Sequence, residues 1–125
     1  MATWTDVARI LKRFAHTERD EGARTWRVGG KLLAWERPLR RSDLDALGKA
    51  APDGPILAVH VPLEVKDTLL EDEPDCYFTT PHFAGYPAIL VRLPVITVAA
   101  LRELLTNAWG VRAPAPPKKA ARKRG

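Results

Sequence analysis

A single cysteine, Cys76, stands in a chain of 125 residues, so no disulfide can close within it. Its aromatic neighbours at a strand start predict a buried, unreactive thiol rather than a nucleophile. No apolar run is long enough to span a bilayer, and Met1 to Asp6 lack the basic-then-apolar order of a secretory leader. Glycine-rich phosphate loops are absent, because Gly29-Gly30 joins two strand-like runs and reads as a turn. His60 has no histidine or cysteine at a metal-ligand spacing. His82 has no serine, cysteine or carboxylate tied to it by a catalytic spacing. The acidic run Glu71-Asp72-Glu73 with Asp75 offers oxygen ligands only, and reads first as a solvated helix end. These absences predict a protein without catalysis, metal or cofactor. A cytoplasmic, monomeric protein is the expectation.

What is present is an ordinary globular composition, 46% hydrophobic and 28% charged, enough for one core. The net charge of +5 is unevenly spread. Arg112, Lys118, Lys119, Arg122, Lys123 and Arg124 place +6 in residues 111–125, leaving −1 for residues 1–110. The division predicts a folded domain over 1–110 and, beyond it, the linker Ala113-Pro-Ala-Pro-Pro117 with a disordered basic tail. Within the domain, residues 1–50 carry +4 and residues 51–110 carry −5.

Periodicity sketches the elements. Thr3 and Asp6 predict a helix start, with Trp4, Val7, Leu11 and Phe14 on one stripe. His16 to Ala23 is polar and predicts a loop. Arg24 to Glu36 predicts a hairpin with a two-residue turn, Val28 opposite Lys31 and Trp26 opposite Leu33. That register puts Trp26, Val28, Leu33 and Trp35 on the core side. Ser42 or Asp43 caps a short helix, and Ile56 to Val61 makes a third strand. Leu63 to Glu73 predicts a helix with Val65, Leu69 and Leu70 inward. Thr97 caps a last helix, with Gly110 just past its end.

The central stretch is Tyr77 to Leu93: an aromatic loop bounded by Pro81 and Pro87, then the apolar strand Ala88 to Leu93. Thr80-Pro81-His82-Phe83-Ala84-Gly85-Tyr86-Pro87, followed by Leu90-Val91-Arg92-Leu93, resembles the signature of the MmcQ/YjbR-like family of small bacterial proteins. Weaker resemblance runs over roughly residues 3 to 110 and includes Val28-Gly-Gly-Lys-Leu-Leu33. The resemblance implies an α+β fold of the frataxin/CyaY type. In that fold an antiparallel sheet of about five strands carries the N- and C-terminal helices on one face. It also implies DNA binding.

Two functions follow as expectations. In the first, DNA is held without sequence preference by the tail (Lys118, Lys119, Arg122, Lys123, Arg124). The hairpin tip (Arg27, Lys31) and the cluster Arg37, Arg40, Arg41 then act as wings on the duplex. In the second, a recognition loop of Thr80, Pro81, His82, Phe83, Gly85 and Tyr86, with Arg92 on the strand behind it, takes a protein or a small ligand. One basic face would favour the first, and an aromatic cleft near His82 the second.

Overall fold

The computed structural model describes residues 2–52 and 54–113. The expected tail cations at 118 to 124 therefore lie outside the described residues. The chain runs α1 (Trp4–Lys12), β1 (Thr17–Arg19), β2 (Thr25–Val28), β3 (Lys31–Glu36), α2 (Arg41–Leu47), β4 (Ile56–His60), α3 (Leu63–Asp72), β5 (Tyr77–Phe78), β6 (Ala88–Arg92) and α4 (Val98–Arg112). A 3-10 turn, Pro81–Phe83, lies between β5 and β6. The sheet has six strands in the order β1-β2-β3-β4-β6-β5, every neighbouring pair antiparallel.

The α+β class and the helices of one face stand as expected; the strand count rises from about five to six. The extra strand is β1, inside the segment predicted to be a loop. Thr17, Glu18 and Arg19 are too polar to signal a strand, but they pair with Val28, Arg27 and Trp26 at an exposed edge. The guanidinium of Arg19 lies 5.0 Å from the centre of the Trp26 ring, so a charged residue covers the outermost aromatic.

The first helix starts as its residues dictate. The Asp6 amide donates to the Thr3 hydroxyl at 3.3 Å, and the Asp6 carboxylate accepts the Thr3 amide at 2.9 Å. Such reciprocal caps are worth about 0.5–2 kcal/mol. Val7, Ile10 and Leu11 are its buried stripe. In α4 the cap is again as read, with the Ala100 amide donating to the Thr97 hydroxyl at 3.1 Å. That helix does not stop at Gly110 but continues to Arg112, whose Nε donates to the Leu32 carbonyl at 3.0 Å. The bond gives the last turn a tertiary anchor that no end-signal in the sequence announces.

Both terminal helices cover one face of the sheet. Val7, Leu11, Leu33, Leu57, Ile89, Leu101 and Leu105 are fully buried there. The opposite face carries a smaller cluster of Ile56, Ala58, Phe78, Phe83, Ala88 and Leu90, with Trp35, Leu39 and Leu47 packed against it.

The hairpin decides which residues reach that second face. Val28 faces Lys31 as expected, but Trp26 faces Ala34, not Leu33. Arg27 faces Leu32, so Leu33 is an extra residue in β3. This bulge lets Leu33 and Ala34 both enter the helical core, and every later side chain of β3 changes face. Trp35 consequently joins the opposite cluster, correcting the expectation that it shares a face with Trp26 and Val28.

Candidate functional site

Behind β4 and β6, on the face without the terminal helices, lies an open cleft of about 750 Å³. Leu32, Trp35, Arg40, His82, Phe83 and Tyr86 form much of its wall. Three segments build it: the displaced end of β3, the connection into α2, and the loop between β5 and β6.

The loop is held mainly through its backbone. Thr80 is buried and extended, and the Phe83 amide donates to its carbonyl at 2.9 Å, closing the 3-10 turn. The Tyr86 amide donates to the Phe83 carbonyl at 2.9 Å across Gly85, whose φ of 77° favours glycine. The principal fastener comes from α3. Lys66 is 3% exposed, and its ammonium donates to the carbonyls of Phe83 at 2.6 Å and Tyr86 at 2.9 Å. Burial lowers the Lys66 pKa, opposed in part by the carboxylate of Asp67. Sequence reasoning turned Val65 inward; it is 38% exposed, and its neighbour Lys66 takes the buried position. A signal existed, since Lys66 precedes Leu69 and Leu70 by three and four residues and so shares their stripe.

The second wall rests on a buried ion pair. Arg37 Nη2 lies 3.1 Å from Asp43 Oδ2, and the same oxygen accepts the Arg40 amide at 2.9 Å. Arg37 also donates to the Pro38 carbonyl, and its guanidinium sits 5.2 Å from the centre of the Phe83 ring. The Asp43 pKa is lowered, first by the Arg40 amide and then by the charge and hydrogen bond of Arg37, against the opposing cost of burial. Asp43 is thus the third residue of α2 reaching back to its start; Arg40 is the residue before the helix, a correction to capping by Ser42 or Asp43.

On this support the aromatic rings gather. The His82 ring meets Phe83 edge-on at 5.3 Å, and Tyr86 lies 5.7 Å from Phe83. From β4, His60 meets Tyr86 edge-on at 6.2 Å. Burial, followed by the charge of Arg112, lowers the His60 pKa and favours its neutral ring. Phe83 is buried, whereas His82 is exposed and Tyr86 is 42% exposed. Phe83 is therefore a floor, and His82, Tyr86 and Trp35 are the surfaces available to a ligand. Glu36 stands at the rim but is paired with Arg24 at 3.2 Å. No ion pair engages Arg40 among the described residues.

The remaining residues singled out in the sequence do not converge. Pro81 is exposed and opens the 3-10 turn. Arg92 packs over Phe78 at 4.5 Å and does not line the cleft. Arg37 is 8% exposed and committed to Asp43, which removes it from any phosphate-binding surface. Arg27 pairs with Asp20 at 3.2 Å. Lys31 is exposed at the hairpin tip, at the opposite end of β3 from Arg40 and Arg41. Six strand residues separate them by about 17 Å at roughly 3.3 Å per residue, so tip and cluster are not one wing. A different basic groove runs between the terminal helices, lined by Arg9, Arg13 and Arg102. Cys76 is half-buried, and burial raises its thiol pKa, with Glu73 and Asp75 adding to the shift. Among the described residues no group of three or more histidines, cysteines or carboxylates is placed to hold a metal ion. No helix among them is long and apolar enough to cross a membrane.

The chain is similar to three mycobacterial proteins: uncharacterized protein Mb2600 of Mycobacterium bovis, and uncharacterized proteins MT2646 and Rv2570 of Mycobacterium tuberculosis. Each is 56% identical over 118 residues, covering 91% of this chain and 91% of the relative. The chain belongs to this mycobacterial family. No established family profile matches it, and no solved structure does.

Proposed function

We propose that the chain is a non-catalytic binding module whose ligand occupies the aromatic cleft. The observation that carries this reading is the arrangement of Trp35, His82 and Tyr86 around one cavity, floored by Phe83 and rimmed by Arg40. Rings whose faces are reachable bind other planar groups by stacking, at roughly 1–3 kcal/mol for each stacked base in nucleic-acid complexes. Arg40 adds a cation beside them, so the ligand class is a planar aromatic group bearing an acidic one. The cleft is wide, open and braced from behind, as a preformed ligand site should be.

Nucleotide monophosphates, aryl phosphates and indole carboxylates are suitable probes, titrated while the amide and indole resonances are followed by nuclear magnetic resonance. The expected result is movement of the Trp35, His82 and Tyr86 signals with at least one probe, abolished by Trp35→Ala and weakened by Arg40→Ala. Signals that stay still at millimolar concentrations of all three classes refute the cleft as a site for such ligands.

A second reading, DNA binding, draws on the resemblance to the MmcQ/YjbR-like family, the basic residues at 118 to 124 and the groove of Arg9, Arg13 and Arg102. Its mark is affinity that falls steeply with salt, because displaced counterions supply the binding. Fluorescence anisotropy with duplex DNA checks it. Arg13→Ala with Arg102→Ala should reduce the salt slope, and no binding by the intact chain at low salt would end this reading.

A further inference from the structure

On the helical side of the molecule, away from the aromatic cleft, α3 and α4 leave an apolar groove of about 260 Å³ between them. Val65 and Leu69 form one bank, and Leu104 and Val111 belong to the other. Val65 is 38% exposed and Val111 63%, so side chains suited to a core stand open to water on both banks. The two helices run in opposite directions along it. Arg112, at the end of α4, lies close enough to His60, just before α3, to lower its pKa. At the other end Glu73 and Glu103 close the groove beside Tyr77. Burial, followed by Glu73, Cys76 and Glu103, pushes the Tyr77 pKa up to about 12. Neither Glu73 nor Glu103 is ion-paired among the described residues. The groove therefore has an apolar floor and an acidic end.

The chain's own continuation carries the complementary pattern in the right order. After Ala113 come Pro114-Ala115-Pro116-Pro117 and then Lys118-Lys119, an apolar, conformationally restricted stretch followed by two cations. The lengths agree. From Val111 to Glu103 along α4 is about 12 Å at roughly 1.5 Å per residue. From Ala113 to Lys119 in an extended proline helix is about 19 Å at roughly 3.1 Å per residue, leaving slack to round the end of α4.

We propose that residues 114–119 dock back into the groove of their own molecule, with the prolines against Val65, Leu69 and Val111 and Lys118 and Lys119 beside Glu73 and Glu103. The docked segment hides the open valines, and it holds the basic residues next to carboxylates instead of presenting them to another partner. A polyproline segment binds such grooves at low entropic cost because its conformation is already restricted. The inference is independent of the aromatic cleft, which lies on the other face of the sheet.

The test uses the full chain with methyl resonances of Val65, Leu69 and Val111 as reporters. Lys118→Glu with Lys119→Glu, and separately Pro116→Ser with Pro117→Ser, should each shift all three sets of signals. Glu73→Gln with Glu103→Gln should reproduce the effect of the lysine reversals. Every shift should be independent of protein concentration. In the proline and glutamine variants, which keep Lys119, trypsin should cleave after it several-fold faster than in the intact chain. Methyl signals that ignore the tail substitutions overturn the proposal, and shifts that grow with concentration overturn it in favour of a second copy as occupant. Because the tail substitutions leave the folded core intact, the result is not confounded by unfolding.

Discussion

The two faces of the sheet are stabilised by different physics. The helical face is a continuous apolar layer in which side chains interdigitate, and its energy is spread over many small contacts. The cleft face has a small apolar cluster, and the loop and strand end around it are held by two buried cations. Arg37 has a carboxylate partner, whereas the Lys66 ammonium is satisfied by two carbonyl oxygens. Packing tolerates gradual loss, but a buried charge stripped of its partner does not. The difference separates a face that supplies stability from one that displays rings in fixed positions.

Asp43→Ala should give the largest effect, because it leaves Arg37 uncompensated in the interior; the expected loss is about 3–5 kcal/mol in urea unfolding. Arg37→Met with Asp43→Leu should recover most of it, since no charge then remains buried. The same pair has a pH signature. The Asp43 pKa is lowered from 3.8 on folding, so its contribution is present above that pH and is lost as the pH falls through the lower folded value. Asp43→Asn should flatten this acid limb of the stability profile.

Leu105→Ala, on the helical face, should cost about 2–5 kcal/mol through transfer and cavity terms, with no such signature below pH 4. If it showed one, the contrast between the faces would fail. Lys66→Met should cost less, about 1–3 kcal/mol, by orphaning the Phe83 and Tyr86 carbonyls. Its effect on hydrogen exchange should concentrate in residues 80–87, and uniform loss of protection would deny Lys66 a local role. Tyr86→Ala should be the mildest, within about 0.5 kcal/mol as for an ordinary surface position, while abolishing any ligand binding in the cleft. A loss comparable to Leu105→Ala would instead make the loop a structural clasp.

The helical face was legible in the sequence because it is written in periodicity. Val7 and Leu11 in α1, and Leu101, Leu104, Leu105 and Ala108 in α4, announce their shared stripes, and Thr3 and Thr97 announce the starts. The cleft face was legible only in part. The aromatic loop stood out through its prolines and glycine, but its fasteners did not. Lys66 lies seventeen residues from Phe83, and a lone lysine in an amphipathic helix ordinarily points to water. Arg37 resembled a solvated basic cluster because nothing local indicates that Asp43 turns toward it. The bulge at Leu33 escaped because a two-residue turn suggests regular pairing, and nothing in the local sequence marks the extra residue.

That extra residue has a consequence for what kinds of sequence change the molecule can survive. Face assignment along a strand is a matter of odd and even positions, and Leu33 resets the count midway along β3. Pairing Leu33 regularly opposite Trp26 would therefore turn the Trp35 indole toward the helical core and Glu36 toward the cleft. Deleting Leu33 would not, because Leu32 would stay opposite Arg27 and Ala34 opposite Trp26, leaving Trp35 on the cleft face. The strand can thus lose its extra residue and keep the cleft wall, at the cost of one buried leucine side chain.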